Sequence, residues 1–116
     1  MLDNAAVDMP FANTIERDLH YAKHGHKFGA ADALEYERMA DDFMFGAIGV
    51  DTRECVRPGR IDRVRFDFGT HHEGVACITP EFVRTFYPVR ALTVARHGGE
   101  EGYFAYECAR ISGVNL

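Results

Sequence analysis

Ile61-Asp62-Arg63-Val64-Arg65-Phe66-Asp67-Phe68 is the stretch that decides the fold class. Val64, Phe66 and Phe68 alternate with Arg63, Arg65 and Asp67, a period of two that belongs to a half-buried strand. Upstream, apolar residues recur at helical spacing; downstream, they come in short runs split by Gly, Pro and His. After residue 68 a hairpin loop is predicted at 69–74 and a short apolar strand at 75–79. A Pro80-Glu81 turn and a strand at 82–87, stopped by Pro88, follow. Residues 89–96 and 103–109 are predicted as a fourth and a fifth strand, joined by a glycine-rich turn over 97–102. In the strand at 82–87, Thr85 and Tyr87 are expected on one face with Val83, and Phe82, Arg84 and Phe86 on the other. The links are too short for crossover helices. The expected fold is α+β, with two N-terminal helices packed on a four- to five-stranded antiparallel sheet.

The two helices announce themselves by their starts. Asn13-x-x-Glu16 and Asp32-x-x-Glu35 both fit a capping box. The first helix carries Ile15, Leu19 and Ala22 as its apolar face, and Gly25 is expected to end it in the left-handed conformation. The second runs to about residue 45. Tyr36, Ala40, Phe43 and Met44 form its core stripe, and Glu37, Arg38, Asp41 and Asp42 face water. Residues 1–12 read as a linker and 13–116 as a single domain; 50–59 read as a polar loop. Residues 1–11 lack the basic start and apolar core of a signal peptide.

Composition sets limits on function. The chain has 116 residues and a formal net charge of −5, which argues against broad electrostatic binding of nucleic acid. Residues 1–58 carry 11 acids and 6 bases; residues 59–116 carry 7 of each. No apolar run approaches the roughly 18 residues of a membrane span. Three cysteines without CxxC spacing give no disulfide framework, and a single disulfide stays open as the less favoured alternative. Cys77 and Cys108 are expected as buried small hydrophobes in strands and Cys55 as a loop thiol.

The chemistry-bearing residues concentrate in Tyr21-Ala22-Lys23-His24-Gly25-His26-Lys27-Phe28-Gly29. Lys23 and Lys27 are the only lysines, and His20, His24 and His26 are half of the six histidines. Arg57, Arg60, Arg63 and Arg65 form a second basic run, so an anion site is expected between the two. Position leaves two readings of Lys23 and His24: an anion or proton-transfer site, or cations favoured at a helix C-terminus by its dipole. His20 and His24, at i and i+4, could share a metal. There is no HExxH, no acidic ligand is near and Lys23 repels a cation, so no metal or other cofactor is expected. No GxSxG and no cysteine with a local partner supports a side-chain nucleophile. General acid/base attack on a phosphodiester needs an imidazole, cations for charge on phosphorus, a hydroxyl and an aromatic ring. His24, Lys23, Lys27, Arg65, Thr85 and Tyr87 supply these, with Arg63 and Tyr87 to hold substrate. Thr85 and Tyr87 also suit a strand by propensity alone, and Arg65 suits the polar face of a sheet.

Two ordered motifs carry a resemblance. Tyr21 to Gly29 is followed by a helix opening Asp32-Ala33-Leu34-Glu35-Tyr36, and later by Arg84-Thr85-Phe86-Tyr87-Pro88. In that order, over about residues 14–88, they resemble the barnase/EndoU/colicin/RelE-like nuclease toxin domains, including colicin D-like and contact-dependent inhibition tRNases. The resemblance implies metal-independent cleavage of RNA, with tRNA as a frequent substrate. It matches Lys23 and His24 to a basic pair on a helix, and Thr85 and Tyr87 to a hydroxyl and a ring on a strand. It further implies a domain delivered as part of a larger toxin, acting in a target-cell cytoplasm. A cognate immunity protein would neutralise it, and the domain would otherwise be a monomer. The pattern departs from the family where Tyr21 replaces a further lysine, Thr85 a serine and Tyr87 a tryptophan. Two other classes stay open: a non-catalytic binding module, and a degenerate phage-type domain of the same fold.

Overall fold

The computed structural model describes residues 11–111. Helix α1 spans Thr14–His24 and continues as a 3-10 turn, Gly25–Phe28; α2 spans Ala33–Phe45. Four strands follow: β1 Thr52–Val56, β2 Asp62–Asp67, β3 His72–Ile78 and β4 Glu81–Pro88. They pair in the order β1-β2-β3-β4, antiparallel throughout. Helices α3, Ala91–Arg96, and α4, Glu100–Ala109, end the described chain. The architecture is α+β, as expected. Residues 1–10 of the predicted linker lie outside the described residues. Phe11, also assigned to the linker, is instead buried in the core and bridges Val83 of β4.

Both predicted caps form. Asn13 Oδ1 accepts the Glu16 amide at 2.8 Å and Asp32 Oδ1 the Glu35 amide at 2.9 Å. Each satisfies one orphan donor of its helix. The end of α1 differs from expectation. Gly25 has right-handed helical angles (φ −56°, ψ −42°), and the left-handed residue is Gly29 (φ 72°). Gly25 is needed for space: a Cβ there would lie 2.3 Å from the Tyr21 ring.

Tyr21 is the residue that turns α1 inward. Its ring also meets Tyr36 of α2 at 6.2 Å. At about 100° per residue, His20 and His24 fall on one flank of Tyr21, while Ile15, Leu19 and Ala22 fall on the far side. The predicted apolar face therefore points outward, with Ile15 68% and Leu19 60% exposed. Arg17, His20, Tyr21 and His24 form the packed face instead. Arg17 reaches Glu37 of α2 at 3.8 Å, so Glu37 is buried rather than facing water.

The sheet is covered on both faces. On one, Tyr36, Ala40 and Met44 of α2 pack on Ala76, Val83 and Phe86 with Phe11. On the other, Phe66, Val89, Val94 and Tyr103 form a second core, extended by Phe68, Tyr87 and Phe104. Residues 89–96 and 103–109 are thus not a fourth and fifth strand; they yield the two helices that make this second layer. Short apolar runs do not distinguish strand from buried helix by period. The helical signals were Glu100 and Glu101 in the first turn of α4, and Tyr103 and Glu107, four apart and both buried. Strand β1, predicted as loop, is a short, charged, half-exposed edge strand with no apolar alternation to betray it.

Helix α4 is fastened to the sheet covalently and ionically. Cys55 of β1 and Cys108 of α4 form a disulfide, against the expectation of a loop thiol and a strand cysteine; Cys77 is the buried free thiol. Arg57 is fully buried and donates to the Glu107 carbonyl at 2.8 Å and to its carboxylate at 2.7 Å. The disulfide closes a span of 53 residues. Cys108→Ser is expected to lower unfolding free energy by roughly 2–4 kcal/mol, read as a lower urea midpoint. A midpoint unmoved by the substitution would mean that the ionic clamp alone fixes α4.

Candidate active site

A cleft of about 710 Å³ opens where α1 crosses the outer edge of β4. Its α1 wall carries Glu16, His20, Lys23 and His24; its β4 wall carries Arg84, Thr85 and Tyr87; Glu107 and Arg110 of the α4 end close it. His24 and Tyr87, 63 positions apart in sequence, lie with ring centroids 5.5 Å apart and planes tilted by 31°. The expected basic pair, hydroxyl and ring thus line one cavity.

A β-bulge positions the β4 wall. The pairing runs Val75↔Thr85 and then Ala76↔Val83, so Arg84 is the extra residue. A bulge shifts the alternation by one. Val83 therefore joins Phe86 in the core against α2 instead of sharing the face of Thr85 and Tyr87. The bulge also brings Arg84 into the cleft lining, where its Nε is held by Asp62 at 2.8 Å. Arg110 is held similarly, Nη1 to Glu107 Oε2 at 2.9 Å. Strict period-two reading of the strand hides Arg84, and a strand assignment of 103–109 hides Glu107 and Arg110.

The electrostatics favour a neutral His24. Burial, then the charges of Lys27, His20, Lys23 and His26, lower its pKa from 6.5 to about 4. Lys27 is not among the cleft-lining residues; it sits on the exposed 3-10 turn and acts on His24 through its field. Burial lowers His20 as well, with Glu16 opposing and Lys23 assisting. Tyr87 turns its hydroxyl inward, 3.4 Å from that of Tyr103, which in turn donates to the buried carboxyl of Glu73. Burial and the Glu73 charge push the Tyr87 phenol above its ordinary range. Burial and the neighbouring Glu107 carboxyl hold Glu73 well above the usual carboxylate range.

The predicted arginine run is not part of this site. Arg65 is buried on the α2 side, donating to Glu54 at 2.7 Å and to the carbonyls of Phe43 and Gly46 at 3.0 and 2.8 Å. Three fixed acceptors make it a strut between β1, β2 and the end of α2. Arg63 Nε lies 3.4 Å from the same Glu54 carboxylate. Arg57 belongs to the α4 clamp. The expectation of no acidic group near His20 is also corrected, since Glu16 Oε1 lies 3.9 Å from His20 Nε2. Among the described residues, no group of three or more His, Cys, Asp or Glu side chains has the arrangement of a metal site. His71 and His72 diverge: the first meets Glu100 at 2.9 Å, the second packs edge-on against Phe28 at 4.8 Å. No described helix is long and apolar enough to cross a membrane.

Compared with known proteins, the chain matches no protein-family model, and no curated protein matches it.

Two outcomes test this geometry. In an NMR titration of the histidine rings, His24 is expected to protonate near pH 4 instead of 6.5. Lys27→Gln should move that midpoint upward, and a midpoint at the ordinary value would contradict the burial of the ring. Arg65→Ala is expected to cost about 1–3 kcal/mol of stability through its stranded acceptors. It should leave the His24 titration in place.

Proposed function

We propose that this domain is a metal-independent endoribonuclease of the toxin type, with the β4-edge cleft as its active site. The observation that carries the proposal is the convergence of His24, Lys23, Thr85 and Tyr87 on one cavity from two distant segments. A ribose supplies its own nucleophile, so the protein needs only to move protons and stabilise charge.

In this mechanism the neutral imidazole of His24 takes the proton of a 2′-hydroxyl. The 2′-oxygen attacks the adjacent phosphorus, the bond to the 5′-oxygen breaks, and a 2′,3′-cyclic phosphate is left. A general base of low pKa is a weaker proton acceptor but is fully available at neutral pH. Lys23 meets the charge developing on the phosphoryl oxygens, assisted by the fixed guanidinium groups of Arg84 and Arg110. The Thr85 hydroxyl donates to a phosphate oxygen. The Tyr87 ring holds His24 in orientation and offers an aromatic surface to a base. Lys27 contributes by keeping His24 unprotonated. Arg63 and Arg65 have no part in the chemistry.

The choice of tRNA, delivery within a larger toxin and control by an immunity protein belong to the same proposal and rest on the motif resemblance. Ile15 and Leu19 stand exposed on the helix that also bears Lys23, so a blocking partner would find apolar and charged groups side by side.

Wild-type protein is expected to cleave total tRNA in EDTA, and His24→Ala to lower kcat/KM by roughly 10²–10⁴-fold. Since His24 must be unprotonated, kcat/KM should fall on acidification only as the pH approaches about 4. Equal activity in wild type and His24→Ala would remove the role of His24. Binding of RNA without cleavage would favour a non-catalytic module.

A further inference from the structure

His20 is the one imidazole of the cleft that the mechanism above leaves unused. It lies one helical turn before His24, with ring centroids 6.2 Å apart. Its ring stacks on Phe11 at 5.7 Å, with planes inclined by 27°, so it is fixed in place. In both histidines Nδ1 is buried without a hydrogen-bond partner, which leaves Nε2 as the nitrogen that a ligand reaches. Both rings line the same cavity.

Transfer to a 2′-oxygen needs two proton carriers on opposite sides of phosphorus. One takes a proton from the attacking oxygen and the other gives one to the departing oxygen. Each must come within roughly 2.6–3.2 Å of its oxygen, a reach that two rings on one helix wall, a turn apart, can provide around a single phosphoryl group. The other candidates for the donor fare worse. Arg84 and Arg110 are tied to Asp62 and Glu107, and a guanidinium does not release its proton in a protein. The Tyr87 hydroxyl faces Tyr103. Lys23 stands exposed on the rim, suited to a fixed charge. Burial and the Lys23 charge lower both imidazoles, but their remaining neighbours differ. His20 has the Glu16 carboxylate 3.9 Å from Nε2, while every charge acting on His24 is a cation. The carboxylate offsets part of what lowers His20, and no anion offsets what lowers His24. A carboxylate beside one imidazole of a pair and only cations beside the other fit the acid and the base in that order.

We propose that His20 is the general acid of the cleft, acting opposite His24 in cleavage of a phosphodiester that carries a neighbouring 2′-hydroxyl. This rests on the ribonuclease reading and adds a catalytic residue to it. The bond from the 2′-oxygen to phosphorus forms as the 2′-hydroxyl proton passes to His24. The bond from phosphorus to the 5′-oxygen breaks as that oxygen takes the His20 proton. The products are the 2′,3′-cyclic phosphate and a 5′-hydroxyl; exchange with solvent returns each imidazole to its starting state. Glu16 is a positioning residue, holding the proton on His20 until it is needed.

The test compares two substrates that differ only in leaving group. One is a diribonucleotide; the other is the matching ribonucleoside 3′-(p-nitrophenyl phosphate), whose nitrophenolate departs without being protonated. His20→Asn and His20→Gln are expected to slow the dinucleotide by roughly 10²–10⁴-fold while leaving the nitrophenyl ester nearly unaffected. His24→Ala should slow both. Glu16→Gln, at an exposed position that leaves folding intact, should slow the dinucleotide several-fold and spare the ester. Equal losses on both substrates in the His20 variants, or no loss on either, would overturn the acid role while leaving the ribonuclease reading standing. If the His20 variants fail to fold, Glu16→Gln decides: equal rates for it and the wild type on both substrates overturn the proposal. A wild type that cleaves neither substrate overturns the ribonuclease reading and the acid role together.

Discussion

The packing of the Tyr21 ring between Gly25 and Tyr36 fixes the rotation of α1 about its axis, and the cleft depends on that rotation. With Tyr21 inward, His20 and His24 must project along the β4 edge, and Ile15 and Leu19 must project into solvent. The exposed apolar stripe gives up burial worth about 1.5–3 kcal/mol per side chain. In exchange the helix presents two imidazoles and a lysine to a partly buried cavity. The same rotation explains the charge state of His24. Its ring is taken from water on one side and faced with lysines and histidines on the other, and both effects favour the neutral form.

The opposite wall depends on α4. A buried arginine is tolerable only when its hydrogen bonds and its charge are met. Glu107 meets Arg57 with both its carbonyl and its carboxylate, and the Cys55–Cys108 bond anchors the same turn. Tyr103, on the same helix, carries the link to Glu73 beneath Tyr87. Fold stability and the placement of Tyr87 and Arg110 are therefore one problem: loosening α4 opens the cleft from below.

Much of this was legible in the sequence where a local signal acts alone. The caps at Asn13 and Asp32 and the strands around Val64 and Phe86 follow from short patterns; the link between Lys23-His24 and Thr85-Tyr87 came only from the motif resemblance, and their meeting in one cavity is a matter of tertiary packing. The failures share a physical cause, the precedence of tertiary packing over local pattern. Ile15, Leu19 and Ala22 have the spacing of a buried stripe, yet the larger Tyr21 sets the helix face. Apolar residues 89–96 and 103–109 suit strands by composition, but the open face of the sheet needed a covering layer and helices supply it. Arg65 sits in the alternation of a solvent face, but that face is occupied by the end of α2. The bulge at Arg84 is one residue that no period reveals, and the cysteine pairing depends on where α4 lands.

In the proposed reaction the substrate's own 2′-oxygen is the nucleophile, and the ends of the RNA fragments record whether it is. After incubation of tRNA with the protein in EDTA, mass spectrometry of the products should show 2′,3′-cyclic phosphates and 5′-hydroxyls. A substrate carrying a 2′-deoxyribose at the cut site should remain whole. Fragments ending in 3′-hydroxyl and 5′-phosphate, or cutting of the deoxy substrate, would contradict the account, because water would then be the nucleophile.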